Sequence, residues 1–139
     1  MGTKTVMILA LAIGSVGLGA PTAAATPSRD LYMVKDVQAT GDGTYVGDFA
    51  AVRKKGKSVV GAVGSFYSEY TCIRGRISGH RLRGTSYNEF GDPTPFSVRW
   101  KGSGAKQRIK GFTRVTKADM RLYGGSNPTR MIKYCVRNT

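Results

Sequence analysis

The links between segments constrain this chain most. After residue 30, β-branched and aromatic residues alternate with polar ones, and no window shows a convincing 3.6-residue period. Alternating runs lie near 44–53, 58–67, 70–77, 80–87, 96–101, 108–115, 119–123 and 131–137, with a short strand near 31–37 before them. Links such as Lys54-Lys55-Gly56-Lys57 and Ser78-Gly79 are too short for a crossover helix, so neighbouring strands should be antiparallel. The spacing implies an all-β chain of about eight strands. A small up-and-down barrel accounts for the simple order of links, and a β-sandwich is the alternative.

The first 25 residues stand apart. Lys4 is the only charge before Arg29, and Val6 to Leu18 is a mostly apolar run broken by Gly14, Ser15 and Gly17. Pro21-Thr22 and then Ala23-Ala24-Ala25 follow. A charged start, an apolar core and a small-residue site are the marks of a secretory signal peptide, with cleavage expected after Ala25. The run is shorter than the roughly 20 apolar residues of a membrane span. The stretch has no cysteine for a lipid anchor and no twin arginine. Three segments result: 1–25 as leader, 26–42 as a partly flexible N-terminal segment, and 43–139 as a single β domain. The expected location is secreted or extracytoplasmic.

Export permits disulfides, and Cys72 with Cys135 is the one pairing the chain offers. Closing a loop of that length is worth about 4 kcal/mol by chain entropy. A modest core at this size makes such a staple valuable.

Charge enters next. There are 22 Lys and Arg against 8 Asp and Glu, a net charge of +14. Loss of the leader removes only Lys4 and leaves the excess almost intact. Such a charge favours encounter with polyanions: an anionic cell-wall polymer, nucleic acid or an anionic lipid surface.

One hairpin shows where the charge sits. With Ser78-Gly79 as a two-residue turn, Arg76 faces Arg81, Arg74 faces Arg83 and Tyr70 faces Tyr87. One face then carries Ile73, Gly75, Ile77 and Leu82, with His80 at the tip. The other carries Tyr70, Tyr87, Cys72, Arg74, Arg76, Arg81 and Arg83. Opposed like charges weaken a ladder by about 0.2–1 kcal/mol per pair. Guanidinium forks bind phosphate, sulfate or carboxylate, so these arginines form a candidate anion site on which Tyr70 and Tyr87 could stack bases. The bland alternative is a solvated outer face. The same sorting sets Phe96, Val98 and Trp100 against Arg99 and Lys101, and Ile132, Tyr134 and Val136 against Lys133, Cys135 and Arg137.

The runs Val60-Gly61-Ala62-Val63-Gly64, Ile73-Arg74-Gly75-Arg76-Ile77-Ser78-Gly79 and Phe96-Ser97-Val98-Arg99-Trp100-Lys101 resemble small calycin-type barrels in style. The likeness covers about half of the chain after the leader. It implies a second function class, a carrier of a small apolar or amphiphilic ligand in the barrel interior. It matches no motif residue by residue, so it assigns no binding residues.

Enzyme chemistry finds little support. Two cysteines and one histidine cannot build a four-ligand zinc site. Gly-x-Ser-x-Gly and His-Glu-x-x-His are absent. A ribonuclease wants a general acid and base beside its cations. His80 falls at the turn, about 26 Å along the hairpin from Glu69 and Glu89, the only glutamates. A tertiary contact to Asp48 or Asp119 stays open. Asp36, Asp42 and Asp48 lack an EF-hand pattern, and Gly41-Asp42-Gly43 is first a turn signal. No catalytic residue, cofactor or metal is expected. The longest loop, Asn88 to Pro95, carries Phe90 as an exposed candidate contact.

Overall fold

The computed structural model describes residues 26–124 and 126–139. The expected leader at 1–25 lies outside them. Eight strands follow in order: β1 (Ser28–Ala39), β2 (Tyr45–Lys55), β3 (Ser58–Ser65), β4 (Tyr70–Ser78), β5 (Arg81–Tyr87), β6 (Pro93–Lys101), β7 (Arg108–Ile109) and β8 (Thr113–Val115). Two helices end the chain, α1 (Lys117–Gly124) and α2 (Pro128–Asn138). The sheet order is β7-β6-β5-β4-β3-β2-β1-β8, and every pairing is antiparallel. This is an up-and-down meander curled into a nearly closed barrel. The segment near 31–37 is part of the twelve-residue β1, which pairs with both β2 and β8.

The barrel is filled. Leu31, Met33, Val52, Val59, Leu82 and Trp100 are buried side chains of its interior cluster. Phe96, Val98 and Trp100 point inward, as their alternation implied. Inward glycines let the strands coil tightly. Gly75 faces Gly84 across β4 and β5, and a Cβ on Gly84 would lie 2.1 Å from the Arg74 carbonyl oxygen. A Cβ on Gly61 would lie 2.3 Å from that of Ala51. Neither backbone could yield that much, so the narrow bore requires these residues.

The seam closes by a bend. The run 108–115, expected as one strand, is two short ones joined through Gly111 at φ +92°. Ile109 enters the interior, while Val115 packs on the outer wall, so the bend turns the two strands to different faces. Arg114 Nη1 donates to the carbonyls of Ala105 and Gln107 at 2.9 and 3.0 Å, lacing β8 to the segment before β7. Burial lowers the Arg114 pKa, and Arg29 adds to the effect.

The runs 119–123 and 131–137 are helical, not extended. Thr116 Oγ1 accepts from Asp119 N–H, and Asp119 accepts from Thr116 N–H, a reciprocal cap that starts α1. Asn127 Oδ1 accepts from Thr129 and Arg130 N–H, and Pro128 fills the first helical position of α2. Pro128, Ile132 and Cys135 then recur at helical spacing and are buried. Alternation over so few residues masked this stripe.

Both helices lie on the outer wall. A second cluster forms there from Val34, Phe49, Ala62, Phe66, Cys72, Met120 and Cys135. Cys72 and Cys135 form a disulfide with their Cα atoms 5.3 Å apart. The expected staple therefore joins β4 to a helix, not to a last strand.

Candidate functional site

The arginine hairpin turns one residue later than expected. Gly79 and His80 are the turn residues, with Gly79 at φ +62°. Glycine at that position suits a tight hairpin turn, and Ser78 goes to the strand. The register moves by two. Arg76 faces Arg83, Arg74 faces Thr85, and Cys72 faces Tyr87. A shift of two preserves the faces, so the arginines stay outside. Only one of the two expected arginine pairs survives in altered form.

A second opposed pair replaces the lost one. Arg81 faces Arg99 across β5 and β6. Arg76, Arg83, Arg81 and Arg99 thus form one contiguous outward block on three strands. Opposed stems lie about 5 Å apart at Cβ, and Arg81 and Arg83 are about 7 Å apart along β5. Arg76 Nη1 reaches Ser58 Oγ at 3.5 Å, and Arg81 Nη1 donates to Ser97 Oγ at 3.2 Å. These are neutral acceptors. Among the described residues the one ion pair is Arg53 with Asp30, at 2.8 Å.

Arg74 has a different task. Its Nε donates to Thr139 Oγ1 at 3.1 Å and its Nη2 to the Val136 carbonyl at 3.3 Å. It caps the C-terminal end of α2, where a cation also meets the negative end of the helix dipole. A shallow depression of about 280 Å³ still brings Arg74, Arg76 and Arg83 together beside Ser58 and Val60.

The tyrosines sit elsewhere. Tyr70 packs edge-to-face on Tyr134 of α2 with centroids 6.3 Å apart, and Tyr87 packs in the outer cluster beside Cys72. Neither joins the arginine block. Phe90 is 81% exposed at the tip of its loop, where Asn88 Oδ1 accepts from Phe90 and Asp92 N–H.

The meander also sorts charge by rim. Connections 56–57, 79–80 and 102–107 emerge at one end and contain no acid. Connections 40–44, 66–69 and 88–92 emerge at the other and contain Asp42, Glu69, Glu89 and Asp92 but no lysine or arginine. Hydrogen bonds from Thr40 and Thr44 hold the Asp42 carboxyl down at about 2. At the same rim the Glu69 carboxyl pushes that of Glu89 up. His80 lies at the basic rim, away from both glutamates. Asp48 accepts from Ser65, and Asp119 caps α1, so neither open contact to His80 forms. No group of three or more metal-ligating side chains occurs among the described residues.

Arg99 is identifiable from sequence as outward but not as part of the block, because its pairing with Arg81 is set across the longer 88–92 connection, whose register no two-residue turn signal fixes. Three further arginines, Arg121, Arg130 and Arg137, line a cleft of about 740 Å³ between the helices and the barrel wall. Reading both terminal segments as strands conceals them. The Thr116-x-x-Asp119 and Asn127-Pro128 caps are the signals that find them. No family model, curated protein or solved structure matches this chain significantly.

Proposed function

We propose that this protein is an exported, non-enzymatic binding module that contacts an anionic extracellular polymer or surface through Arg76, Arg83, Arg81 and Arg99. The observation that carries the reading is their adjacency on one outer face, where among the described residues none of the four has an acidic partner. Each neighbouring guanidinium makes the next harder to place, and a row of phosphates, sulfates or carboxylates would relieve all four together. The charge-sorted rims would orient the approach. The leader-like residues 1–25 and the disulfide support export. A ligand inside the barrel has no comparable support, since the bore is occupied by side chains.

The test is binding of a DNA duplex, polyphosphate and anionic vesicles as a function of salt. Four phosphate contacts on a duplex give a log–log slope of about −3.6. Arg76→Ser with Arg83→Ser should remove about half of that slope while leaving the melting temperature within a few degrees. A slope unchanged by the double substitution on every probe overturns the proposal.

A further inference from the structure

The cleft under the helices is built differently from the arginine block. Its floor is apolar: Phe49, Phe66 and Met120 are all under one-tenth exposed. Its lips are aromatic and open, with Tyr67 62% and Tyr134 47% exposed. Tyr67 is held at φ +60°, a left-handed conformation costly for a bulky residue. That conformation keeps its ring at the edge of the cleft.

The polar side of the cleft has one sign. Arg121, Arg130 and Arg137 line it, and among the described residues no carboxylate does. Glu69, next to Tyr70 in sequence, interacts with Glu89 at the rim instead. Arg130, Tyr134 and Arg137 fall at spacings of four and three along α2, hence on one face. Arg130 is in the first turn, where the helix dipole is positive and a cation is disfavoured. That turn holds no acid to offset it. Two sources of positive potential thus converge beside an apolar trough, and an anion at Arg130 would relieve both. Burial keeps the Tyr70 hydroxyl in its neutral form, able to donate.

We propose that this cleft is a second binding site, for a single amphiphilic anion: a flat or chain-like apolar body with one sulfonate, carboxylate or phosphate. The body lies on Phe66 and Met120 between the tyrosine lips, and the head group pairs with Arg130. A volume of about 740 Å³ is in the range that encloses a small organic ligand. The site does not share its arginines with the outer block, so either can fail alone.

The probe is anilinonaphthalene sulfonate, with N-phenyl-1-naphthylamine as its uncharged counterpart and laurate as a competitor. The sulfonate should bind at one per protein, at least tenfold more tightly than the neutral probe, and laurate should displace it. Arg130→Gln should weaken the sulfonate at least fivefold and leave the neutral probe unmoved. Tyr134→Ala should weaken both. Arg76→Ser with Arg83→Ser should change neither. Equal affinity for the two probes, an Arg130→Gln variant that binds like the parent, or loss of the sulfonate in the Arg76/Arg83 variant overturns the proposal. Duplex binding by the Arg130→Gln variant, unchanged, shows that the outer block is a separate site.

Discussion

The outer wall of this barrel has two halves, and β4 crosses the border between them. Outward residues near its start lie under α2: Tyr70 packs edge-to-face on Tyr134, and Cys72 is bridged to Cys135. Those near its end, Arg74 and Arg76, are exposed. The helix stops where the outward residues change from apolar to cationic, and Arg74 caps it there. The same contrast holds on neighbouring strands: β2 and β3 offer Phe49 and Ala62 to the helices, while β5 and β6 offer Arg83 and Arg99 to water. Backbone and interior are continuous across the border. The outward side chains alone therefore decide which half becomes a second core and which stays bare and cationic.

The largest expected effect comes from freeing the covered half. Cys135→Ser removes a bridge spanning 63 positions, worth about 4 kcal/mol by loop closure. Chemical denaturation should show that loss, with amide exchange accelerated first in α2. If α2 stays protected, packing of Ile132 and Met131 holds it without the bridge, and the halves differ less than their covalent link implies. Arg74→Ser comes next. It removes two hydrogen bonds to the end of α2 and should cost about 1 kcal/mol. The salt slope for duplex binding should barely move. A large fall in slope would place Arg74 functionally with Arg76 and shift the border by one outward position.

The covered half was the less legible of the two. Strands from 45 to 101 were readable because short links and a period of two act together, and a barrel followed from their order. Inward glycines and the outward arginines were likewise visible. The hairpin register was not, because Ser78-Gly79 and Gly79-His80 both offer a two-residue turn and their choice sets the β4–β5 register that the local sequence leaves open. The two helical segments look extended in sequence for a local reason. Ile132, Tyr134 and Val136 alternate as well as they follow a helical turn, and β-branched residues favour the extended reading. Thr116-x-x-Asp119 and Asn127-Pro128 are capping signals that outrank that alternation. With them goes the cleft, since Arg121, Arg130 and Arg137 share a site only if both segments are helical.

A smaller effect on stability separates fold from contact on the bare half. Arg83→Glu sets an acid directly opposite Arg76. An opposed unlike pair is worth about 0.2–1 kcal/mol, so the melting temperature should rise slightly by calorimetry. Duplex binding should fall further than with Arg83→Ser, because one cation is lost and another is neutralised. Stability and binding moving in opposite directions is what a face kept cationic for contact must show. A variant that gains stability and keeps its binding makes the block an ordinary solvated surface.

The smallest effect lies at the border and depends on pH. Burial, with Tyr134 adding to it, raises the Tyr70 pKa above the ordinary tyrosine value of 10.0. The unfolded chain then releases this proton before the native state does. Stability owed to the neutral phenol is complete below about pH 10 and declines as pH rises from there through the native pKa. Tyr70→Phe has no proton to lose. Its stability should match the parent near neutrality, corrected for the lost hydroxyl, and decline less steeply above pH 10. Tyrosinate absorbance should meanwhile show one late-titrating ring that the variant lacks. Parallel decline of the two proteins would mean that α2 does not shield Tyr70 from water, and that the covered half begins at Cys72 instead.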